Sequence, residues 1–204
     1  MTEKKCSIYL VDDDPSIRRS ISLLLNSAGY SVSVFDDGEN LLASENYSGK
    51  GCIILDIYLH GESSLVLHQQ ISQKFCTLPI IYLTGHGNVP MSVEAFKNGA
   101  INFLQKPIDE KKLFSAIEEA LESSEQMVHD HAASTRIRNL LNTLTPRETE
   151  GFLLLTKGYL NKQIAMELHI AEHTVKIHRG KITGKLGVKS VAEMVVMASI
   201  KITV

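Results

Sequence analysis

The sequence predicts an α/β domain with a doubly wound, five-stranded parallel sheet, followed by an all-α domain of four helices. Three observations lead there. Short apolar, β-branched runs alternate with stretches of helical spacing over residues 1–122, the pattern of a sheet covered by helices on both faces. Beyond that point apolar residues recur at helical spacing without strand-like runs. The charge also changes sign. Residues 1–125 carry 10 Lys and Arg against 17 Asp and Glu, a net of −7; residues 126–204 carry 11 against 6, a net of +5, which together give the overall −2. An acidic half joined to a basic half indicates two jobs, with nucleic acid a candidate partner of the second.

The five strands are read at "CSIYLV", "SVSVF", "CIIL", "PIIYLT" and "INFL". Between them, Ile17, Ile21, Leu24, Leu25 and Ala28 share a helical face that stops at Gly29. Leu65, Leu67, His68 and Ile71 mark a second helix, Met91, Val93, Ala95 and Phe96 a third, and Leu113, Ile117, Ala120 and Leu121 a last. Ligands of such sheets bind at the carboxyl ends of the strands. That edge collects Asp12, Asp13 and Asp14 after strand 1, Asp56 at the end of strand 3, Thr84 at the end of strand 4 and Lys106 just past strand 5. Asp14 stands before Pro15 and reads as a helix N-terminal acid rather than a ligand.

Residues 123–143 hold few bulky apolar side chains and no Gly or Pro, and read as a helical linker continuing the fifth helix. Neighbours on a helix do not face one another, so His129–Asp130–His131 reads as a solvated face rather than a metal motif. Residues 144–204 open with "LTPRETE", where Thr145 is an N-cap, Pro146 suits the first helical position and Glu148 completes a capping box. "NKQIAMELHIAEHTVKIHRGKITGKLGV" then reads as helix, short turn, helix. Ile164, Ala165 and Leu168 face inward from the first; Val175, Ile182 and Leu186 do so from the second, with Ile177 off that stripe. The free surface carries Lys176, Arg179, Lys181 and Lys185, with Lys189 just beyond. In a helix-turn-helix the second helix enters the major groove, where cations suit phosphates and guanine edges.

No apolar run approaches the roughly 20 residues of a membrane span, and "MTEKKC" leads into the first strand without a signal-peptide pattern. The expectation is a cytoplasmic protein without a membrane partner. Cys6, Cys52 and Cys76 form no close-spaced pair and are expected as buried free thiols.

Carboxylates crowded at one edge repel each other and need a cation. All-oxygen ligands favour a hard ion, and Mg²⁺ suits a few carboxylates with waters and a phosphoryl group. One carboxylate can then act as a nucleophile on phosphorus to form an acyl phosphate, with a Lys neutralising the phosphoryl oxygens. The converging set also sets a rival, an Asp-nucleophile phosphohydrolase. That enzyme class expects a second acid two residues after the nucleophile, where this chain has Tyr58.

These motifs resemble the receiver domain of two-component response regulators over residues 1–122, a flavodoxin-like fold. "TGHGNVPMSVEAFKNGA" is especially similar to the FixJ branch. The resemblance implies that Asp12 and Asp13 bind the metal with Asp56 and the backbone carbonyl of Tyr58. It implies that Asp56 accepts the phosphoryl group, that Thr84 reads it, and that Lys106 of the Lys106–Pro107 step pairs with it. Phe103 lies where a switch aromatic is expected, and is otherwise simple core. The chain departs from the family's usual Met-Pro and later Gly, carrying Leu59-His60 and Ser64 instead. Losing Pro loosens a loop, and losing Gly removes tolerance of positive φ; Gly61 restores some of that freedom. Tyr58 and His86, bulky residues flanking the expected phosphate, either restrict the attacking water or point to solvent.

Residues 144–200 resemble the LuxR-type DNA-binding domain, carried by "LTPRETE", "NKQIA", "AEHTVKIHRGKI" and "KLGVKS". The resemblance implies that Lys176, Ile177 and Gly180 face bases, and that Asn161, Lys162, Thr174 and Lys181 meet the DNA backbone. Gly180 has no side chain to read a base and would permit close approach. Together the two parts imply a regulator of the NarL/FixJ type: a non-enzymatic transcription factor, phosphorylated at Asp56 by a sensor histidine kinase with Mg²⁺, dimerising and binding double-stranded DNA. The alternative keeps the DNA binding and discards phosphorylation, with the first domain as a fixed dimer module.

Overall fold

The β-branched runs form a single parallel sheet whose three central strands are buried on both faces, while the two edge strands keep exposed positions. The strands are β1 (Ser7–Val11), β2 (Ser31–Phe35), β3 (Gly51–Asp56), β6 (Ile80–Thr84) and β7 (Asn102–Gln105), in the order β2-β1-β3-β6-β7. The computed structural model describes residues 6–44, 49–60, 62–85 and 89–202, in two compact units, Met1–His131 and Ala132–Val204. Alternation along the strands assigns side chains to opposite faces. Tyr9, Val11, Ile53, Leu55 and Tyr82 join Leu41, Ile71, Phe75 and Ala95. Those four partners come from α2 (Gly38–Ala43), from α3 (His68–Lys74) and the turn after it, and from α4 (Val89–Lys97). Ile8, Leu10, Cys52, Ile54, Ile81 and Leu83 join Ile21 and Leu25 of α1 (Pro15–Ser27) and Leu113, Ala116, Ile117 and Ala120 of α5 (Glu110–Leu141). β1 and β3 approach closely at Ser7 and Gly51, where an added Cβ would lie 1.9 Å from the Ser7 carbonyl oxygen.

One sequence reading is refined here and two change. Among the apolar residues assigned to α4, Ala95 is fully buried but Val93 and Phe96 are about half exposed; the side chain of Met91 lies outside those described. Of the three thiols expected to be buried only Cys52 is: Cys6 is half-buried and Cys76 exposed. Cys76 sits in the turn after α3, and its Sγ lies 3.4 Å from His131 Nδ1. The stretch after β3 also contains an unforeseen hairpin, β4 (Tyr58–Leu59) with β5 (Glu62–Ser63), followed by a 3₁₀ turn, Ser64–Leu67.

Residues 123–141 are helical, the continuation of α5. Ser124, fully buried, donates to the Thr77 carbonyl at 2.7 Å and accepts from the Gly51 N–H at 3.1 Å. In the second unit α6 (Pro146–Thr156), α7 (Asn161–Glu167), α8 (Glu172–Leu186) and α9 (Val191–Ile202) enclose Phe152, Leu155, Ile164, Val175, Ile182, Leu186 and Met194. The capping box forms: Thr145 Oγ1 accepts from the Glu148 N–H at 3.3 Å and Glu148 Oε2 from the Thr145 N–H at 2.9 Å. Among the described residues no helix is long and apolar enough to cross a membrane.

Candidate functional site

The carboxyl ends of β1, β3, β6 and β7 bring the acids, the hydroxyl and the ammonium to one edge. Asp12 is fully buried just after β1, and Asp56, the last residue of β3, is 6% exposed. Lys106 Nζ donates to Asp12 Oδ2 at 2.6 Å and to Asp56 Oδ2 at 2.5 Å. Asp12, Asp13 and Asp56 each offer a carboxylate oxygen within 4.8 Å of the others. Backbone groups hold these acids in place: Asp14 N–H to Asp12 Oδ1 at 3.0 Å, Tyr58 N–H to Asp56 Oδ1 at 3.2 Å and His60 N–H to Asp13 Oδ2 at 2.9 Å. Asp14 itself caps α1 by accepting from the Ser16 N–H at 2.7 Å. Burial pushes the Asp56 carboxyl above its ordinary value, and the Lys106 ammonium only partly offsets that. Burial also disfavours the Lys106 charge, but the two carboxylates outweigh it and the ammonium is held above its ordinary value.

Thr84 is fully buried at the end of β6, and its carbonyl accepts from the Lys106 N–H at 2.7 Å. Phe103 is half-buried on β7, opposite Tyr82 in the β6–β7 register. Tyr58 is 40% exposed beside the site; His86 and Gly61 lie outside the described residues. Arg18, which the sequence did not single out, donates to the Asp12 carbonyl at 2.5 Å. Its position three residues after Pro15 on α1 was visible, but nothing in the pattern points an arginine at a main-chain oxygen.

In the second unit the exposed surface of α8 presents Lys176, Ile177, Arg179, Gly180 and Lys181, with Thr174 half-buried. Ile177 is 46% exposed, off the buried stripe of Val175, Ile182 and Leu186. Asn161 and Lys162 open α7, and Arg179 reaches Asn161 Oδ1 at 3.4 Å. Lys176 lies 3.9 Å from Glu172 one turn back. Gly180 and Gly184 face open space, with nothing within 4 Å of an added Cβ.

Residues 8–118 match the response regulator receiver domain, and residues 142–198 the LuxR family of bacterial regulatory proteins. The chain belongs to the two-component response regulators. Over 95% of its length the regulator is 36% identical to nodulation protein W of Bradyrhizobium diazoefficiens, covering 86% of that protein. It is 37% identical to the tetrathionate response regulatory protein TtrR of Salmonella typhimurium, over 93% of this chain and 90% of that one. Among solved structures it is similar to the response regulator StyR, at TM-score 0.70 and 39% identity over 96% of this chain and 98% of that one. Full-length FixJ from B. japonicum aligns at TM-score 0.56 and 33% identity, over 99% and 100%. The regulator therefore joins a receiver domain to a LuxR-type DNA-binding domain, and its relatives include transcriptional regulators.

Two details of the regulator differ from what its sequence suggests. Positive φ falls at His60 (φ 53°), not at Ser64. Ser64 is buried and starts the 3₁₀ turn, with its Oγ donating to the Asp56 carbonyl at 2.5 Å and its N–H to the Ile57 carbonyl at 2.7 Å. A hydroxyl with a buried carbonyl to meet replaces the conformational freedom of glycine. Lys185, a candidate for the DNA surface, is turned to the scaffold: its Nζ donates to Glu148 Oε2 at 2.5 Å and to the Thr143 carbonyl at 3.1 Å. That hydrogen bond holds the Glu148 carboxyl down to about 2. Glu148 was legible as a capping residue; its second partner, 37 residues away, was not.

Proposed function

We propose that this regulator accepts a phosphoryl group on Asp56 from the phosphohistidine of a sensor histidine kinase, in the cytoplasm, and acts as a transcription factor rather than an enzyme. An Asp56 carboxylate oxygen attacks phosphorus. The P–N bond to the donor imidazole breaks, its electron pair stays on nitrogen, and the product is an acyl phosphate. The observation that carries this reading is the Lys106 ammonium bridging Asp12 and Asp56, with a third carboxylate, Asp13, within 4.8 Å. Three carboxylates and one ammonium leave a net −2 there, and an all-oxygen donor set of that charge fits Mg²⁺ or a similar divalent cation. Asp12, Asp13, Asp56 and the Tyr58 carbonyl would hold it; when bound, the ion supplies positive charge to the phosphoryl oxygens. Lys106 moves from Asp56 to a phosphoryl oxygen, and Thr84 offers its hydroxyl to another.

With Thr84 engaged, Phe103 turns inward and changes the α4–β7 surface, favouring dimers. Paired DNA-binding domains on a roughly palindromic site then gain affinity jointly. On the duplex, Lys176, Ile177 and Gly180 face the bases. Asn161, Lys162, Thr174, Arg179 and Lys181 meet the backbone, while Lys185 stays with the scaffold. Treatment with a small-molecule phosphodonor and Mg²⁺, followed by intact mass and light scattering, tests this. Wild type is expected to gain one phosphoryl group and dimerise, and Asp56→Asn to do neither. An unmodified wild type, under conditions that label a control receiver, would leave the first domain as a fixed dimer module.

A further inference from the structure

Two buried polar side chains in the receiver domain have no part in the chemistry above. Tyr82, in the middle of β6, is fully buried, and His68, the first residue of α3, is nearly so. His68 Nδ1 lies 3.0 Å from the Tyr82 hydroxyl, and the rings stack with centroids 5.9 Å apart. Burial raises the Tyr82 phenol and lowers the His68 imidazole, so both are neutral, and the His68 tautomer sets which of the two donates. A Phe–Leu pair would fill this space with no hydrogen-bonding obligation, so the polar pair calls for a reason.

Its surroundings supply one. Tyr82 stands opposite Phe103 in the register and two residues before Thr84, so all three side chains share one face of the sheet. His68 Nε2 faces the turn between α4 and β7, within 3.6 Å of where a Cβ on Gly99 would lie. Four residues before His68, Ser64 is bonded to the Asp56 and Ile57 carbonyls. One 3₁₀ turn therefore runs from the main chain of the phosphoacceptor to the residue that anchors Tyr82.

We propose that His68 is a positioning residue for the switch: through the Tyr82 hydroxyl it holds the ring beside Phe103 and favours the resting position of that aromatic. This rests on Asp56 being the phosphoacceptor. A ring pinned at its hydroxyl cannot roll aside, so inward movement of Phe103 toward Thr84 must displace Tyr82 or strain the bond to His68. The bond thus biases a two-state element that phosphorylation also biases.

The test compares DNA affinity, by fluorescence anisotropy on a fixed duplex, for phosphorylated and unphosphorylated full-length protein. The phosphate content of each sample is matched by intact mass. In Tyr82→Phe and His68→Leu the unphosphorylated protein is expected to bind more tightly, narrowing the phosphorylated-to-unphosphorylated ratio by about fivefold or more. The double variant narrows it no further. His68→Gln, which keeps an acceptor, retains the wild-type ratio. A merely structural pair would lower thermal stability and leave the ratio unmoved, and that result overturns the proposal. Should the variants fail to fold, nitrogen NMR of histidine-labelled wild type decides: the His68 Nδ1 signal shifts on phosphorylation, and an unchanged signal overturns the proposal. A wild type that takes no phosphate instead defeats the assignment of Asp56, an outcome read directly from the mass.

Discussion

The two working surfaces of this regulator are built in opposite ways. Asp12, Asp56, Thr84 and Lys106 come from four places in the chain and are largely buried, and Lys106 answers the charges of Asp12 and Asp56 at 2.6 and 2.5 Å. Lys176, Ile177, Arg179, Gly180 and Lys181 come from one helix, are exposed, and make weak internal contacts at 3.9 Å (Lys176–Glu172) and 3.4 Å (Arg179–Asn161). The difference teaches where each surface keeps its energy. In the buried cluster each charge has meaning only with its partners, so single changes reverberate. On α8 the exposed cations are separately solvated, so if DNA binds there as proposed their effects should add.

The strongest way to break this comparison is to remove the shared ammonium. Lys106→Ala leaves Asp12 and Asp56 buried and unpaired, and should cost about 3–5 kcal/mol in denaturant unfolding at neutral pH without divalent cation. Asp56→Asn should instead stabilise the cation-free protein, since it removes a carboxylate whose ionisation burial already disfavours. The sign follows from linkage: with its folded value raised, Asp56 favours the folded state when protonated, and that contribution is lost as pH rises through the folded value. A Lys106→Ala loss below about 1 kcal/mol would mean the cluster is solvated rather than interdependent.

Glu148 and Lys185 blur the contrast, because they place a buried acid inside the basic domain. With its folded value held at about 2 against an ordinary 4.5, Glu148 contributes stability that is fully present above the ordinary value and lost as pH falls toward about 2. Acid-unfolding curves of wild type and Glu148→Gln should therefore separate at neutral pH and converge in acid. Parallel curves would show that the hydrogen bond to Lys185 carries no weight.

Salt sharpens the other side. Each of Arg179→Ala and Lys181→Ala should reduce the slope of log affinity against log salt by about 0.9 if it meets one phosphate, and the double variant by the sum. Non-additive slopes would mean the exposed face is as coupled as the buried one. The smallest effect concerns the glycines. Because an added Cβ meets nothing, Gly184→Ala and Gly180→Ala should each stabilise the second domain by about 1 kcal/mol in thermal or denaturant unfolding. Gly180→Ala should also weaken DNA binding; unchanged affinity would remove the close-approach reading of that residue.

Much of this was legible along the chain. Strand runs such as "PIIYLT" announce themselves by β-branching, and the Thr145–Pro146–Glu148 cap specifies its own helix start, because both signals are local. The rule that ligands gather at the carboxyl ends of parallel strands was enough to put Asp12, Asp13, Asp56, Thr84 and Lys106 at one edge. Val93 and Phe96 lie on α4 as read, yet stand about half exposed, because helical spacing shows a face but not how much of it the sheet covers. Cys76 was misplaced because a lone apolar residue in a turn carries no period at all.

By itself, then, the sequence determined the layer order, the two-part charge division and the residue types of both surfaces, all of which follow from period, propensity and topology. Only the tertiary structure decided that Ser64 spends its hydroxyl on the Asp56 carbonyl, that Lys185 turns to Glu148 rather than outward, and that His68 reaches Tyr82. Each of those is a contact between a polar group and one partner, 8, 37 and 14 residues away. The choice is made by which buried donor or acceptor would otherwise be left without a hydrogen bond, and that becomes defined only once the elements have packed.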